Sequence, residues 1–391
     1  MKIAIVSDYY YPQLGGVTEH VHGQATELAR RGHEVTVVTP ALVKVPRTVD
    51  GDVLPPEPFE IVRIGRGYPF YVNRAEALVS WSPHLGTALD RLFEARNFDV
   101  VHVHNPIGPW LAIAAVRRSR APVTVGTLHS VVPAGYPLLR TFARPLRNHL
   151  ARLDACITVS DTVVDSLGPY FPGQQFVTIP NGIDASFFAP DAGPLPELRG
   201  KRTILFVGRF DPRNGVSHAI GAFTILKRTH ADLQLVIVGD GPLRPIVERL
   251  VPDHLREDVV FAGRVNRLRP RYLASADVLC SPCSLASFGM VVLEGMSAGV
   301  PVVATRLPGF ARVMRDGVDG LMVDEPDDDE GFATALDRIL RNPALAEQMG
   351  LAGRHRAIQH FAWPVVADRL EELYDRLRDP RASSPPLREA A

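Results

Sequence analysis

Short apolar runs alternate with amphipathic segments from the start of the chain. Residues 3–6 are apolar without polar alternation, which is typical of a strand buried on both faces. A turn with Gly15 and Gly16, a helical pattern over residues 19–31 and a second apolar run at 35–38 follow. This order predicts a βαβ unit, and therefore a parallel sheet. The glycines either form a plain turn or let the backbone approach a ligand at the strand end.

The same alternation recurs along the chain and divides it into two halves. Strands are predicted at residues 61–64, 100–104, 123–127, 155–160, 204–209, 233–238, 259–263 and 278–280, and helices at 75–95, 111–118, 138–153, 216–229, 241–250, 271–276 and 365–377. The helix at 75–95 should break near Pro83, and 155–160 is the last strand expected in the first half.

A proline-rich connector at residues 189–200 separates the halves. The repeated alternation of strand and helix indicates two Rossmann-like α/β domains, residues 1–189 and 200–363. The tail at 379–391 is rich in Ser and Pro, and we expect it to be disordered.

The stretch at residues 281–305 combines a loop, a buried helix and a strand. Its helix, predicted at 290–298, is apolar on nearly every side. Ser287 and Gly289 precede it, so free backbone N–H groups are available there to an anion. Glu294 is a carboxylate on this apolar helix, which is costly without a partner. Ligand hydroxyls or a neighbouring backbone group are the two candidate partners.

Composition and charge narrow the functional class. The chain has 391 residues, 46% of them hydrophobic, and a formal net charge of +0, so no overall field attracts nucleic acid. Cys280 and Cys283 form a C-x-x-C pair without a second pair, so neither a zinc site nor a disulfide framework is expected. No apolar run reaches the ~18 residues of a membrane span. We expect a cytoplasmic protein whose membrane contact, if any, is peripheral.

Two charged features are candidates for binding a ligand or a metal. Arg209 ends a predicted buried strand, where its guanidinium suits a diphosphate; a salt bridge to Asp211 or Asp240 is the alternative. The acidic run at 327–330 precedes a helix and is interpreted as a solvated cap rather than a metal site.

Histidines mark the strand ends of the first half. His129 follows the strand at 123–127 and is either a structural histidine bonded to the backbone or a ligand contact. We expect His102 and His104 to point to opposite faces of their strand, with His104 nearer to a ligand.

The predicted helix at 138–153 mixes aliphatic and basic residues. Arg140, Arg144 and Arg147 lie three or four residues apart and share a face. A basic amphipathic helix is typical of proteins that lie on anionic lipid, and a solvated helix face is the alternative.

These motifs resemble glycosyltransferase family 4, whose members are retaining enzymes of the GT-B fold. The resemblance rests on S-F-G-x-x-x-x-E at residues 287–294 and V-G-R at 207–209, while H-x-H-N-P, T-L-H-S and V-S-D are similar to the phosphatidylinositol mannosyltransferase-like branch. It implies two domains that face a central cleft, with residues 364–378 packing back on the first domain.

The resemblance further implies transfer of a hexose from a GDP- or UDP-sugar to an acceptor hydroxyl, without a metal. A lipid, polyisoprenoid or phosphoinositide is the acceptor class that it suggests. The first domain would bind the acceptor and the second the nucleotide. A dinucleotide is not expected, because Gly239-x-Gly241 lacks the third glycine of that fingerprint.

Roles follow for residues that match the family pattern. His129 and Arg209 take the catalytic positions, Glu294 would hold the ribose, and the backbone of 287–289 would face the diphosphate. The donor-binding positions that the resemblance implies are Gly15, Gly16, Arg209, Gly239, Val265, Ser287, Phe288, Gly289 and Glu294.

Two positions depart from the pattern. Ala286 stands where the family has a Glu on the donor sugar, and Asn214 where it has a Lys near the diphosphate. Arg213 is adjacent, but in an extended loop its side chain would point elsewhere, so it could substitute for the lysine only if the loop is reshaped. Loss of one charged contact to a transition state can cost on the order of 10²–10³ in rate. A nucleotide-sugar-binding protein with weak or no transferase activity is therefore the alternative, and a GT-B sugar epimerase is a third option.

Overall fold

The computed structural model describes residues 1–43, 57–72, 75–108, 110–132 and 135–379. These residues form two units. Unit 1 contains the described residues up to Gly182 and the C-terminal segment from Trp363, and unit 2 contains Ile183 to Ala362. Apart from Asp379, the tail that was expected to be disordered lies outside the described residues.

Strands and helices alternate along both units. The strands are β1 (Lys2–Val6), β2 (Glu34–Leu42), β3 (Glu60–Val72), β4 (Ala75–Trp81), β5 (Val100–His104), β6 (Val123–Leu128), β7 (Ala155–Thr158), β8 (Phe176–Thr178), β9 (Arg202–Val207), β10 (Leu233–Val238), β11 (Val259–Gly263), β12 (Val278–Ser281), β13 (Val302–Thr305) and β14 (Gly320–Val323). The helices are α1 (Gly16–Arg30), α2 (Leu85–Arg96), α3 (Leu111–Arg118), α4 (Pro137–Leu150), α5 (Asp161–Leu167), α6 (Val216–Leu226), α7 (Arg244–Arg249), α8 (Arg269–Ala274), α9 (Met290–Ser297), α10 (Pro308–Val313), α11 (Asp329–Leu340), α12 (Pro343–Phe361) and α13 (Trp363–Arg378).

Unit 1 is built on an eight-stranded sheet in the order β4-β3-β2-β1-β5-β6-β7-β8. All neighbours are parallel except β4, which runs antiparallel to β3. Along β1, Ile3 and Ile5 pack with residues of α1 and α13, whereas Ala4 and Val6 pack with residues of α2 and α3. Burial on both faces explains why β1 is apolar without alternation.

Unit 2 carries a six-stranded parallel sheet in the order β11-β10-β9-β12-β13-β14. Its strands supply buried residues such as Phe206 and Ile237 to one cluster, and α6 and α11 add Phe223 and Phe332. The fold class predicted from the sequence, two parallel-sheet α/β domains, is thereby confirmed.

The helix predicted at residues 75–95 is wrong in its first half. Residues 75–81 form β4, and the helix starts only at Leu85. Leu78 and Ser80 are buried whereas Trp81 is exposed, which is the period of a strand. Pairing with the long strand β3 outweighed the helix propensity of Ala, Glu and Leu. The prediction also stopped too early, because α5 and β8 follow the strand at 155–160.

The chain passes between the units earlier than the proline-rich connector. The division falls between Gly182 and Ile183, and the connector belongs to unit 2. There Leu195 and Leu198 are buried, and the Leu198 carbonyl accepts a hydrogen bond from Gln234 at 2.8 Å. Prolines at this connector therefore shape two packed 3-10 turns instead of a free linker.

Helix α1 and helix α13 meet where α1 has no side chain. A Cβ at Gly23 would lie 2.0 Å from Nε1 of Trp363, whose ring is 5% exposed. We expect Gly23→Ala to destabilise unit 1 by about 1–3 kcal/mol through overpacking, which exceeds the ~1 kcal/mol gained in helix propensity. Urea unfolding followed by tryptophan fluorescence reports on unit 1, because Trp81, Trp110 and Trp363 all belong to it.

Gly15→Ala is the matched control for this measurement, because nothing lies within 4 Å of a Cβ at Gly15. The control should leave the urea midpoint in place. A midpoint for Gly23→Ala equal to or above that of the unmodified chain would contradict the packing argument.

Candidate functional site

The strand order of unit 2 reverses between β9 and β12. The chain proceeds from β9 to β10 and β11, and then returns to place β12 on the other side of β9. Loops that leave the carboxyl ends of two such strands diverge, and open α/β sheets bind ligands in the crevice between them. Arg209 and Asn214 follow β9, and residues 286–289 follow β12. Both loops start from the carboxyl edge of the sheet. We call the space between these two loops the unit 2 crevice.

Close backbone packing fixes these loops. A Cβ at Gly215, where φ is 71°, would lie 1.9 Å from the carbonyl oxygen of Pro282, so the loop after β9 presses on the loop after β12. A Cβ at Gly239 would lie 1.8 Å from the carbonyl oxygen of Gly208. The predicted donor-binding residue Gly239 therefore has a packing reason to be glycine, independent of any ligand.

The turn after β9 gathers two cations around one buried carboxylate. Asp211 is 2% exposed, and its Oδ1 accepts a hydrogen bond from the Arg213 N–H at 3.0 Å. Its Oδ2 accepts from Nη2 of Arg209 at 3.1 Å and lies 3.5 Å from Nη2 of Arg213. One of the two alternatives for Arg209, a salt bridge to Asp211, is therefore present.

The prediction that Arg213 points elsewhere is wrong. Residues Pro212–Asn214 form a 3-10 turn, not an extended loop, and this turn folds the Arg213 side chain back beside Arg209. The Asn214 amide donates to the carbonyl of Arg209 at 2.8 Å. The residue that replaces the family's lysine thus holds the turn.

Helix α9 begins at the same crevice. Its N-cap Gly289 has φ 105°, and a Cβ there would lie 2.5 Å from Phe310. Phe288 is buried and its ring meets that of Phe361 edge-to-face at 5.7 Å, so only its backbone is available to a ligand. In the described part of the chain no side chain caps α9. Its first N–H groups near Ser287 can therefore receive an anion.

Glu294 on α9 has a charged partner that sequence reasoning missed. Nη1 of Arg269 lies 3.2 Å from Oε1 of Glu294, whose side chain is 3% exposed. The Arg269 guanidinium also lies over the ring of Phe188, 5.4 Å from its centroid. A cation within this distance offsets the cost of burying the carboxylate. The pairing gives no local signal, because the two residues are 25 positions apart.

Two other predicted donor-binding positions lie near strand ends. Val265 is buried just after β11, and so contributes packing at the edge of the sheet. In unit 1, Gly15 and Gly16 are exposed at the start of α1, with open space around a Cβ at Gly15. Local packing does not demand glycine at Gly15, which leaves ligand approach as a reason for it.

Unit 1 brings four histidines together: His20 on α1, His102 and His104 on β5, and His129 after β6. The rings of His102 and His104 stack 4.6 Å apart and 9° from parallel. The expectation that they face opposite ways is wrong, because residues two apart on a strand share a face. Nδ1 of His104 lies 2.8 Å from Nε2 of His129, and the ring of His20 packs edge-on against both.

Hydrogen bonds with Tyr374 and Thr127 orient His102 within this histidine stack. Nδ1 of His102 lies 2.6 Å from the Tyr374 hydroxyl, and Nε2 lies 2.6 Å from Oγ1 of Thr127. A phenol is the natural donor in the first pair, so Nδ1 accepts and Nε2–H donates to Thr127. His102 is thus held as the neutral Nε2–H tautomer.

Burial keeps the stack neutral. Desolvation lowers the pKa of His102 to about 3, with a smaller effect of His129, and desolvation alone lowers the pKa of His129 to about 3. The pKa values of His20 and His104 also fall well below 6.5 through burial and their histidine neighbours. Neutral His129 can donate or accept one hydrogen bond, but it brings no positive charge to a ligand.

The ring nitrogens of this stack are close enough together to be considered as metal ligands. Ring nitrogens of His20, His104 and His129 lie within 4.8 Å of one another. Two nitrogen ligands at the usual 2.0–2.1 Å of a tetrahedral zinc ion would be about 3.3 Å apart, but the pair between His104 and His129 is 2.8 Å apart. The group also contains no carboxylate to offset a buried dication. A hydrogen-bonded stack describes the geometry better.

Sequence reasoning also missed a buried acid beside the strand-order reversal of unit 1. Asp8 follows β1, which neighbours β5 at that reversal, and it accepts a hydrogen bond from the Ser80 hydroxyl. Burial raises the pKa of Asp8 to about 7, which the hydrogen bond from Ser80 opposes. A carboxyl that titrates near neutral pH at a ligand-binding edge is a candidate functional group.

Two surface features named from the sequence have clear structures. Asp328 caps α11 by accepting from the Gly331 N–H at 2.8 Å, so the interpretation of the acidic run as a helix cap is confirmed. On α4, Arg140, Arg144 and Arg147 share one exposed flank, whereas Leu138 and Phe142 occupy the opposite flank at 55% and 50% exposure. None of the described helices has the length and apolar character that crossing a membrane requires.

Both halves of the chain match known families. The family model of Glycosyltransferase Family 4 matches residues 14–187, and the family model of Glycosyl transferases group 1 matches residues 201–342. A phosphatidyl-myo-inositol mannosyltransferase of Mycobacterium leprae (strain TN) is 34% identical over 384 residues, 96% of each chain. A glycogen synthase of Mycobacterium tuberculosis (strain ATCC 25618 / H37Rv) is 30% identical over 398 residues, 96% of this chain and 94% of its own.

Solved structures share the fold. Sucrose-phosphate synthase from Thermosynechococcus elongatus has a TM-score of 0.74 at 23% identity and covers 96% of this chain and 98% of its own. The Anabaena HepE protein in complex with UDP and glucose has a TM-score of 0.72 at 18% identity and covers 96% and 99%.

The neutral histidine stack predicts how unit 1 responds to acid. Between pH 6.5 and about 3 the unfolded chain binds a proton at His102 and the folded chain does not, so stability falls as the pH falls. We expect the unmodified chain to lose ~3 kcal/mol more than His102→Gln between pH 7 and pH 4, at ~1.4 kcal/mol per pH unit. Urea unfolding followed by tryptophan fluorescence measures this difference.

The substitution His84→Gln, at an exposed position, is the control. Its free energy of unfolding should change with pH as that of the unmodified chain does. Asp8 acts in the opposite sense, because its raised pKa removes stability as the pH rises from 3.8 to about 7, but it is present in all three proteins. If the free energy of unfolding depends on pH in the same way for His102→Gln and for the unmodified chain, His102 is protonated in the folded state.

Proposed function

This chain belongs to glycosyltransferase family 4 and has the GT-B fold; on that premise we propose that it transfers a hexose from a GDP- or UDP-sugar to an acceptor hydroxyl with retention of anomeric configuration. Unit 2 binds the nucleotide and unit 1 the acceptor in this proposal. Its main support is the unit 2 crevice, where Arg209 and the uncapped start of α9 come to the strand-order reversal.

Each proposed role follows from the chemistry of the crevice. Negative charge grows on the leaving diphosphate, and Arg209 together with the N–H groups at 287–289 stabilises it. Glu294 accepts hydrogen bonds from the ribose hydroxyls, and Arg269 pairs with its carboxylate in the apolar helix. In unit 1, His129, neutral and hydrogen-bonded to His104, is the proposed sugar-binding histidine. Guanidinium and backbone donors take the part of a metal in this scheme, so we propose that turnover survives EDTA.

The acceptor is the less constrained half of the proposal. The phosphatidyl-myo-inositol mannosyltransferase among the relatives favours mannose transfer onto a phosphoinositide, but a glycogen synthase is similar over the same share of the chain. The basic flank of α4 adds a reason to prefer a membrane-bound or otherwise anionic acceptor. We therefore propose a phosphoinositide-type lipid as the first acceptor to test.

A second function is favoured by the two departures from the family pattern. Ala286 supplies no carboxylate to a donor sugar, and Asn214 holds the turn after β9. A protein that binds a nucleotide sugar but transfers it weakly or not at all fits these substitutions. Release of nucleotide from a panel of GDP- and UDP-hexoses, with and without phosphatidylinositol and with EDTA in a parallel arm, separates the two functions. Binding without release on every donor would favour the binding protein, and no binding would contradict both.

The Glu294 assignment can be tested through the ribose. Glu294→Gln should weaken binding of UDP or GDP by about tenfold or more, since a hydrogen bond to a charged group is worth ~1.5–3 kcal/mol. The corresponding 2′,3′-dideoxynucleotide should bind the unmodified chain equally weakly, and Glu294→Gln should weaken it no further. Calorimetry gives both affinities.

Glu257→Gln, an exposed change of the same chemistry in unit 2, is the control and should bind both nucleotides like the unmodified chain. If Glu294→Gln weakens the dideoxynucleotide as much as the natural one, the carboxylate acts through Arg269 and the fold, not through the ribose.

Helix α4 should bind anionic vesicles through its arginine flank. Each basic residue near an anionic surface contributes about 1 kcal/mol, so replacing Arg140, Arg144 and Arg147 by Gln should reduce recovery on phosphatidylserine vesicles by roughly two orders of magnitude in partition coefficient. Flotation at low and high salt measures the effect, and high salt should abolish binding of the unmodified chain.

The matched control replaces the exposed arginines Arg228, Arg249 and Arg338 of unit 2 by Gln and changes the net charge equally. It should float like the unmodified chain. Equal recovery on neutral and anionic vesicles would remove α4 as a membrane contact.

A further inference from the structure

The turn after β9 places a second guanidinium, that of Arg213, beside Arg209. The family pattern has a lysine at the position of Asn214, and that amide is bonded to the carbonyl of Arg209 at 2.8 Å. The cation expected at the diphosphate is therefore missing from its usual place. Arg213, one residue earlier, lies against the same Asp211 oxygen as Arg209, at 3.5 Å and 3.1 Å.

Four contacts hold Arg213 in this place. The Arg213 N–H donates to Asp211 at 3.0 Å, and its carbonyl accepts from the Ser284 N–H at 2.7 Å. Asn214 fixes the carbonyl of Arg209, and Gly215 packs on Pro282. The backbone of Arg213 is thereby attached to the loops after both β9 and β12, the two loops that border the unit 2 crevice.

The charges of this group suit a diphosphate. Two permanently charged guanidiniums lie against one carboxylate at a partly exposed edge, where the side chains of Arg209 and Arg213 are 32% and 28% exposed. Nε of Arg213 is buried and, within the described ranges, has no hydrogen-bond partner. The Arg213 guanidinium has five N–H donors, and its contact with Asp211 leaves donors for phosphate oxygens.

We propose that Arg213 replaces the missing lysine and, together with Arg209, binds the diphosphate of the donor nucleotide. This inference rests on the proposed function of unit 2 as the nucleotide site. Asp211 acts as the positioning residue that holds both cations side by side before the ligand arrives. Asn214 is then a compensated substitution and not a lost contact.

The diagnostic quantity is the gain in affinity from the second phosphate. In calorimetry on the full chain, UDP is compared with UMP, and GDP with GMP, for the unmodified chain, Arg213→Gln and Arg213→Lys. Arg213→Gln should weaken the diphosphate by about tenfold or more and the monophosphate by less than about threefold, since a charge-assisted contact is lost only at the second phosphate. Arg213→Lys should fall between the two, because it keeps the charge without the planar fork.

Arg249→Gln, an exposed change at the end of α7, is the control and should bind like the unmodified chain. Equal weakening of mono- and diphosphate in Arg213→Gln, unchanged affinity for both, or a lysine variant as weak as glutamine would overturn the inference and leave the nucleotide site standing. If the unmodified chain binds neither UDP nor GDP, the proposed function and this inference fail together. Circular dichroism of each variant checks that the fold is kept.

Discussion

Parallel pairing makes every strand of unit 2 end at one edge of its sheet, and the candidate site depends on that constraint. Crossovers return the chain to the opposite edge each time, so the residues that follow β9 and β12 emerge together although they are far apart in sequence. The reversal of strand order opens the space between their loops. In the proposed site, this topology is what brings Arg209 and the start of α9 to one ligand.

Buried charge is the second constraint on the crevice. Asp211 and Glu294 are each almost fully buried, and each is accompanied by arginine at hydrogen-bond distance. A buried carboxylate without such a partner costs several kcal/mol, so these pairs must exist before any ligand binds. In the proposed site, the phosphate approaches Arg209 and the ribose approaches Glu294, which are members of these pairs. Under the proposed function, structural stability and ligand recognition therefore depend on the same side chains.

The polar side chains gathered in unit 1 are neutral, whereas those of the unit 2 crevice are charged. The stack of His102, His104 and His129 is kept uncharged by burial, and Tyr374 on α13 helps to orient it. A neutral histidine presents one donor and one acceptor with a fixed direction. Such a group can orient a sugar hydroxyl, whereas the cations of unit 2 are suited to phosphate. This division of chemistry parallels the proposed division of acceptor and nucleotide between the units.

The sequence alone determined the alternating α/β pattern, the two parallel sheets and the residues of the loops after β9 and β12, because apolar periodicity and glycine positions are local signals. It could not determine β4, since residues 75–81 favour a helix by composition and become a strand only by pairing with β3. Nor could it pair Arg269 with Glu294 or Asp8 with Ser80, because these contacts join segments distant in sequence. The side-chain direction of Arg213 depends on the turn that Asp211 caps. The Ser284 N–H, which donates to the Arg213 carbonyl, can hold that turn only once the loops after β9 and β12 have packed together.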